Sequence, residues 1–251
     1  MRQFMKPFAL TCGALMVVAS LSACNSETEE QVLTVFAAAS LNEVFVDIAE
    51  DFEAEHKGVT VKFSFGGSSD LVSQMESGAP AQVFASANEK QMERAIESEV
   101  VSGEDVLFAS NTLTLVTPAD NPAGITSLAE AAESSLVICA PQVPCGAATV
   151  KLAESAGLEL KPVSEENSVT DVLGKVTSGQ ADAGLVYVTD AKRAGKDVSI
   201  VEIPESDSIV NFYPIAAVDA SDKLAQDFVD FVLSTPSQDR LRDTGFGAPV
   251  E

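Results

Sequence analysis

Short runs of β-branched and apolar residues alternate along this chain with segments whose apolar positions recur every three or four residues. Residues 32–36, 60–65, 82–85, 112–116, 135–139, 183–188, 199–203 and 211–218 read as strands. Between the first two, Leu41, Val44, Phe45, Ile48 and Phe52 share one face of a helix over 41–55, with Glu43, Asp47, Glu50 and Glu53 opposite. The same spacing predicts helices over 69–76, 89–98, 147–156, 168–177 and 224–233. Alternation of this kind predicts an α/β fold of mostly parallel sheets flanked by helices. The strands near 112–116 and 212–216 bracket a segment that reads as a second lobe inserted into the first. The division is then 32–112 plus 214–251 for one lobe and 113–213 for the other, with 220–251 returning to pack on the first. Two lobes joined by two crossings form a hinge that can close on something held in the cleft.

The first residues do not follow the pattern. Arg2 and Lys6 precede a short apolar run over 8–19, and Leu21-Ser22-Ala23-Cys24 carries the small residues of an export cleavage site, so 1–23 reads as a signal peptide. The run is shorter than the ~20 residues of a spanning helix. LSAC also resembles the lipobox of bacterial lipoproteins, which would make Cys24 a lipidated anchor and 24–31 a solvated tether; an ordinary signal peptide that happens to contain a cysteine is the alternative.

Of 251 residues, 46% are hydrophobic and 21% charged, enough for a substantial core, and the formal charge is −23. Loss of Arg2 and Lys6 with the leader deepens it by two. Such a chain repels nucleic acid and anionic membrane surfaces, which leaves the lipid anchor as the expected membrane contact. A small anion is still admissible, because backbone N–H groups in a desolvated pocket act at contact distance while surface charge is screened over roughly 8–10 Å.

Export changes how the remaining cysteines read. Cys12 falls in the leader, and Cys139 and Cys145 lie six positions apart with Pro141 and Pro144 between them. An oxidising compartment favours a disulfide. Metal ligation is the weaker alternative, since two thiols and His56, the one histidine, do not complete a four-ligand site.

Five stretches end a strand and open a helix or turn, where unpaired N–H groups and the helix dipole can hold an oxyanion without a cation. The first, Ala37-Ala38-Ala39-Ser40, puts small side chains and a hydroxyl at the mouth of the first helix; simple N-capping by Ser40 is the plainer reading. Phe65-Gly66-Gly67-Ser68-Ser69-Asp70 follows, lacking the lysine of a phosphate-binding P-loop, so a capped flexible turn is its plain reading. Pro141 to Ala147 offers the Cys145 N–H or only a rigid proline turn. Asn167-Ser168-Val169-Thr170-Asp171 offers the Val169 N–H. Gly184 to Asp190 places Tyr187 at the end of a strand, where a tyrosine is usually a half-buried core residue.

Taken in order, these stretches resemble the molybdate-binding proteins of bacterial ABC transporters. TVFAAASL, FGGSSDL, SGAPAQVFASAN, APQVPCG, the Val169 helix start, AGLVYVTDA and DRLRDTGFGAP match that family's landmarks across nearly all of 32–249. The resemblance implies a two-lobed, type II periplasmic binding protein fold. It further implies an exported, monomeric receptor that delivers molybdate or tungstate to a membrane permease, with no cofactor and no direct metal ligands. Carried over residue by residue, it implies anion donors at Ser40 and Ser68 through hydroxyl and N–H, at Cys145 and Val169 through N–H, and at Tyr187 through its hydroxyl. Cys145 stands where the family often has alanine, which a main-chain contact tolerates, and the choice of Ser68 over Ser69 stays open.

Neutral donors without an acceptor favour a fully deprotonated dianion, since an anion's own O–H would face another donor at a cost of roughly 1–3 kcal/mol. Molybdate, tungstate and sulfate all meet that condition, so molybdate over sulfate rests on the resemblance, and sulfate or phosphate is the alternative cargo. A hydrolase using Ser40 or Ser68 would need a base, and His56 sits in a polar segment that reads as a helix end; no G-x-S-x-G elbow occurs. The sequence therefore reads as a binding protein and not as an enzyme.

Overall fold

The computed structural model describes Met1 and residues 30–249. The leader, Cys24 and the tether as far as residue 29 lie outside the described residues. In chain order the elements are β1 (Gln31–Ala38), a 3-10 turn (Ala39–Leu41), α1 (Asn42–Glu55), β2 (Val59–Gly66), α2 (Ser68–Glu76), β3 (Val83–Ala85), α3 (Glu89–Glu97), β4 (Val106–Asn111) and β5 (Leu113–Pro118). Then follow α4 (Leu128–Ala132), β6 (Leu136–Cys139), α5 (Pro144–Ala156), β7 (Ser164–Glu166), α6 (Val169–Thr177), β8 (Ala183–Tyr187), α7 (Val188–Ala194), β9 (Val198–Val201), β10 (Asn211–Ala217), α8 (Lys223–Leu233) and α9 (Thr235–Thr244).

Two five-stranded sheets result, ordered β2-β1-β3-β10-β4 and β7-β6-β8-β5-β9. They are mixed and not mostly parallel as the alternation suggested: each has two parallel and two antiparallel pairings. The reason lies in the crossings. Thr112 alone separates β4 from β5, and β10 brings the chain back after β9, so the strands that carry the chain between sheets run against their neighbours. Helical crossovers enforce parallel pairing only within each half.

The cores follow the predicted faces. In α1 the stripe Val44, Phe45, Ile48 and Phe52 is buried together with Leu41 before it, packing with Leu33, Val35 and Phe108 of the first sheet. Ala225, Phe228, Val229 and Val232 of α8, with Leu241 of α9, join this same core, so the C-terminal segment closes the first lobe. The second lobe has its own core around Leu115, Val137, Leu152, Val172 and Leu185. Ala39, the residue directly after β1, packs into that second core, which places the mouth of the first helix against the opposite lobe. Among the described residues no helix is long and apolar enough to cross a membrane.

Candidate functional site

The strand ends that face each other across the cleft build one cavity. It is small and is lined by Ala38, Ala39, Ser40, Gly66, Gly67, Ser68, Ala87, Pro144, Cys145, Ser168, Val169 and Tyr187. All five residues expected to hold an anion are in that lining, two from the first lobe and three from the second; Ser69 is not. No lining side chain carries a charge. Everything polar in it is a hydroxyl or a backbone group.

Each of the five is positioned by its local fold. Ser40 lies inside the 3-10 turn and not at an N-cap: Ala38 takes that place, with no side-chain cap, and the Ser40 hydroxyl pairs with the Tyr213 hydroxyl at 2.9 Å. A partner 173 positions away explains why the local reading as a cap fails. Ser68 opens α2 directly after Gly67, and its Oγ accepts from the Ala87 N–H at 3.0 Å, which leaves its own proton to donate. Ser69 Oγ is buried without a partner among the described residues.

Cys145 occupies the second position of α5, behind Pro144, where a backbone N–H has no intrahelical acceptor. The disulfide to Cys139 ties this helix start to the end of β6, with Cα atoms 5.7 Å apart. Proline at the first helical position needs no N–H partner and presets φ, so α5 begins three residues earlier than its apolar spacing suggested. Gly146 has no room for a side chain: a Cβ there would stand 1.9 Å from the Ala140 carbonyl oxygen. Val169 opens α6, whose cap Ser168 accepts from the Asp171 N–H at 3.2 Å and leaves the Val169 N–H free of it.

Tyr187 ends β8 and is 1% exposed. Its hydroxyl accepts from Asn211 Nδ2 at 3.0 Å, and its ring meets Tyr213 edge-on at 6.0 Å between centroids. Burial holds both phenols well above the usual tyrosine range, so each stays a neutral O–H donor. Behind them lies Asp190, 1% exposed, with Oδ2 unpartnered among the described residues and Oδ1 accepting from Arg193 at 3.0 Å. Burial raises its carboxyl to about 6, against the opposing pull of Arg193.

The lobes are in contact around the cavity. A Cβ on Gly67 would stand 2.1 Å from the Asn167 carbonyl oxygen and 3.2 Å from Val143 Cγ1, both across the cleft. Gln91 Nε2 of the first lobe donates to the Gln142 carbonyl oxygen of the second at 3.1 Å. A larger neighbouring cavity shares Ser40 but is lined by Glu43, Lys192 and Arg193 as well. Its cations are already engaged, Lys192 with the Asp243 carbonyl oxygen and Arg193 with Asp190. His56 ends α1 stacked on Phe52, with Nδ1 3.0 Å from the Phe52 carbonyl oxygen, and it does not line the cavity.

Asn211 and Tyr213 are the polar groups that local sequence reading missed. Both lie in NFYPIA, where a buried strand starts with an amide and a phenol. That was the available signal.

Comparisons with known proteins agree with the geometry. The family described as bacterial extracellular solute-binding protein matches residues 33–247. A Mycobacterium tuberculosis protein named molybdate-binding protein ModA is 43% identical over 93% of this chain and 95% of its own. Among solved structures, the periplasmic molybdate-binding protein of Azotobacter vinelandii superposes with a TM-score of 0.73 at 23% identity, covering 87% of this chain and all of its own. The sulfate-binding protein SubI of Mycobacterium tuberculosis gives 0.68 at 22%, covering 86% of each chain. At those identities the two structures speak for the fold alone.

Proposed function

The chain belongs to the bacterial extracellular solute-binding proteins, and from that premise we propose that it captures molybdate, and tungstate with it, for delivery to an ABC permease. The observation that carries the reading is the uncharged cavity between the lobes, into which both bring residues: Ser40, Ser68, Cys145, Val169 and Tyr187. In this reading the Ser40, Ser68 and Tyr187 hydroxyls and the N–H groups at the starts of α2, α5 and α6 surround a tetrahedral dianion. Closure around the anion is the signal that a permease recognises. The relative named for molybdate, at 43% identity, supports that cargo over sulfate.

The protein acts as a monomer, with 32–112 and 214–251 as one lobe and 113–213 as the other, except that β10 pairs Asn211–Tyr213 with β4 and so carries them in the first lobe; it is exported and held at the membrane through a lipid on Cys24. Its role in this reading is capture and delivery, as the solute-binding family it belongs to supports. The alternative cargo within the same fold is sulfate or phosphate. Calorimetric titration with molybdate, alone and in excess sulfate, separates them. One-to-one binding that survives sulfate is the expected result; heat with sulfate and none with molybdate would keep the anion site and reject the cargo.

A further inference from the structure

We propose that Asn211 is a positioning residue that makes Tyr187 a donor into the cavity, and thereby sets the preference for oxyanions that carry no proton. The inference rests on the reading above that Tyr187 touches the anion. Asn211 Nδ2 donates to the Ala87 carbonyl oxygen at 2.8 Å and faces the Pro144 carbonyl oxygen at 3.5 Å. Carbonyl oxygens only accept, so they fix which end of the amide is NH₂. The same nitrogen stands 3.0 Å from the Tyr187 hydroxyl, which must therefore accept from it. A phenol has a single proton. With Asn211 occupying one side of the oxygen, that proton is turned away from the amide; the Tyr213 hydroxyl lies on that side too, and in the cavity that Tyr187 lines a bound oxyanion offers the stronger, charged acceptor.

The consequence is selectivity by polarity. Hydrogen phosphate or hydrogen arsenate brings its own O–H, which would meet a Tyr187 unable to turn and accept it. Without Asn211 the phenol is free to rotate, and the site loses part of its discrimination. Asn211 also joins the lobes, through Ala87 on one side and Pro144 and Tyr187 on the other. A merely structural tie is thus the competing role, and a double-mutant cycle distinguishes the two.

Molybdate is titrated calorimetrically into the wild-type protein, Asn211→Leu, Tyr187→Phe and the double variant, with hydrogen phosphate as competitor. Tyr187→Phe is expected to weaken molybdate by about ten- to a hundredfold, and Asn211→Leu by about tenfold. The double variant is then no weaker than Tyr187→Phe alone, and Asn211→Leu narrows the ratio of molybdate to hydrogen phosphate affinity. An Asn211→Leu loss that is the same with and without the Tyr187 hydroxyl would make Asn211 an interlobe tie and overturn the inference. Unchanged binding in Tyr187→Phe would instead remove Tyr187 from the site, a failure of the underlying reading visible before Asn211 is considered. Where circular dichroism shows Asn211→Leu unfolded, Asn211→Ala completes the same cycle.

Discussion

Helices in this molecule begin in two ways. At α3, α4 and α8 the chain closes its own helix end: Asn88 Oδ1 accepts from the Gln91 N–H at 3.0 Å, Ser127 Oγ from Glu130 at 3.2 Å, and Asp222 Oδ1 from Leu224 and Ala225 at 3.1 Å. At α2, α5 and α7 the caps are Gly67, Val143 and Tyr187, and no side chain caps the first turn. α6 is capped in the same way as α3 and α4, Ser168 accepting from the third N–H, and it differs from them in that its first residue, Val169, lines the cavity. Asn88, Ser127 and Asp222 lie outside the cavity lining, whereas the starts of α2, α5, α6 and α7 contribute to it. An uncapped start is not sufficient by itself, since α9 is uncapped too and lies elsewhere. Convergence is what matters. Where several helix starts meet, donors withheld from the chain's own side chains are left for an anion.

The largest way to break the contrast is Gly67→Ala. Its φ of −63° suits alanine, so the separate lobe tolerates the change, but the added carbon meets the Asn167 carbonyl across the cleft. Molybdate affinity is expected to fall by about a hundredfold or more, with the ligand-free melting temperature nearly unchanged. Equal affinity in Gly67→Ala would show that ligand binding does not require this contact.

Asp190 sharpens the contrast at α7, where an acid in the first turn would ordinarily stabilise the helix start. Burial reverses that here. The folded carboxyl titrates at about 6 against 3.8 for a free aspartate, so the folded state holds the proton more tightly. Its contribution to stability is full below pH 3.8 and is lost as the pH rises to 6, amounting to about 2–3 kcal/mol. Asp190→Asn should remove that slope from thermal unfolding measured between pH 4 and 7. A wild-type slope retained in the variant would assign it to other groups.

At α5 a covalent tie stands where other helices have a side-chain cap. Replacing Cys139 and Cys145 together by serine should cost about 2 kcal/mol in denaturant unfolding and loosen the Cys145 N–H. The smallest effect belongs to a capped end. Asp222→Ala should lower stability by about 1 kcal/mol and leave molybdate affinity unchanged, as urea unfolding and calorimetry together would show.

Much of this was legible because the relevant signals are local. Alanines before Ser40, glycines before Ser68, proline before Cys145 and the end of the Tyr187 strand each announce a strand running into a helix start. The gaps have physical causes. β7 is Ser164-Glu165-Glu166, an edge strand with no apolar residue, formed because it pairs with β6. β4 begins on an exposed valine after a polar segment, and its last two residues, Ser110 and Asn111, are buried but polar. In α9 only Ser237 and Leu241 are buried, too little for a stripe, and α4 and α7 are short. Asn211 and Tyr213 act on partners far away in the chain, Tyr187 and Ser40, and no local pattern encodes such pairs.

The most direct measurement is a crystal structure grown with molybdate, with the metal located by its anomalous scattering. The expected result is one peak in the uncharged cavity, with oxygens in hydrogen-bond reach of the Ser40, Ser68 and Tyr187 hydroxyls and the Cys145 and Val169 N–H groups. A peak beside Lys192 and Arg193 in the neighbouring cavity would contradict the account, because it would show the anion held by cations and not by open helix starts.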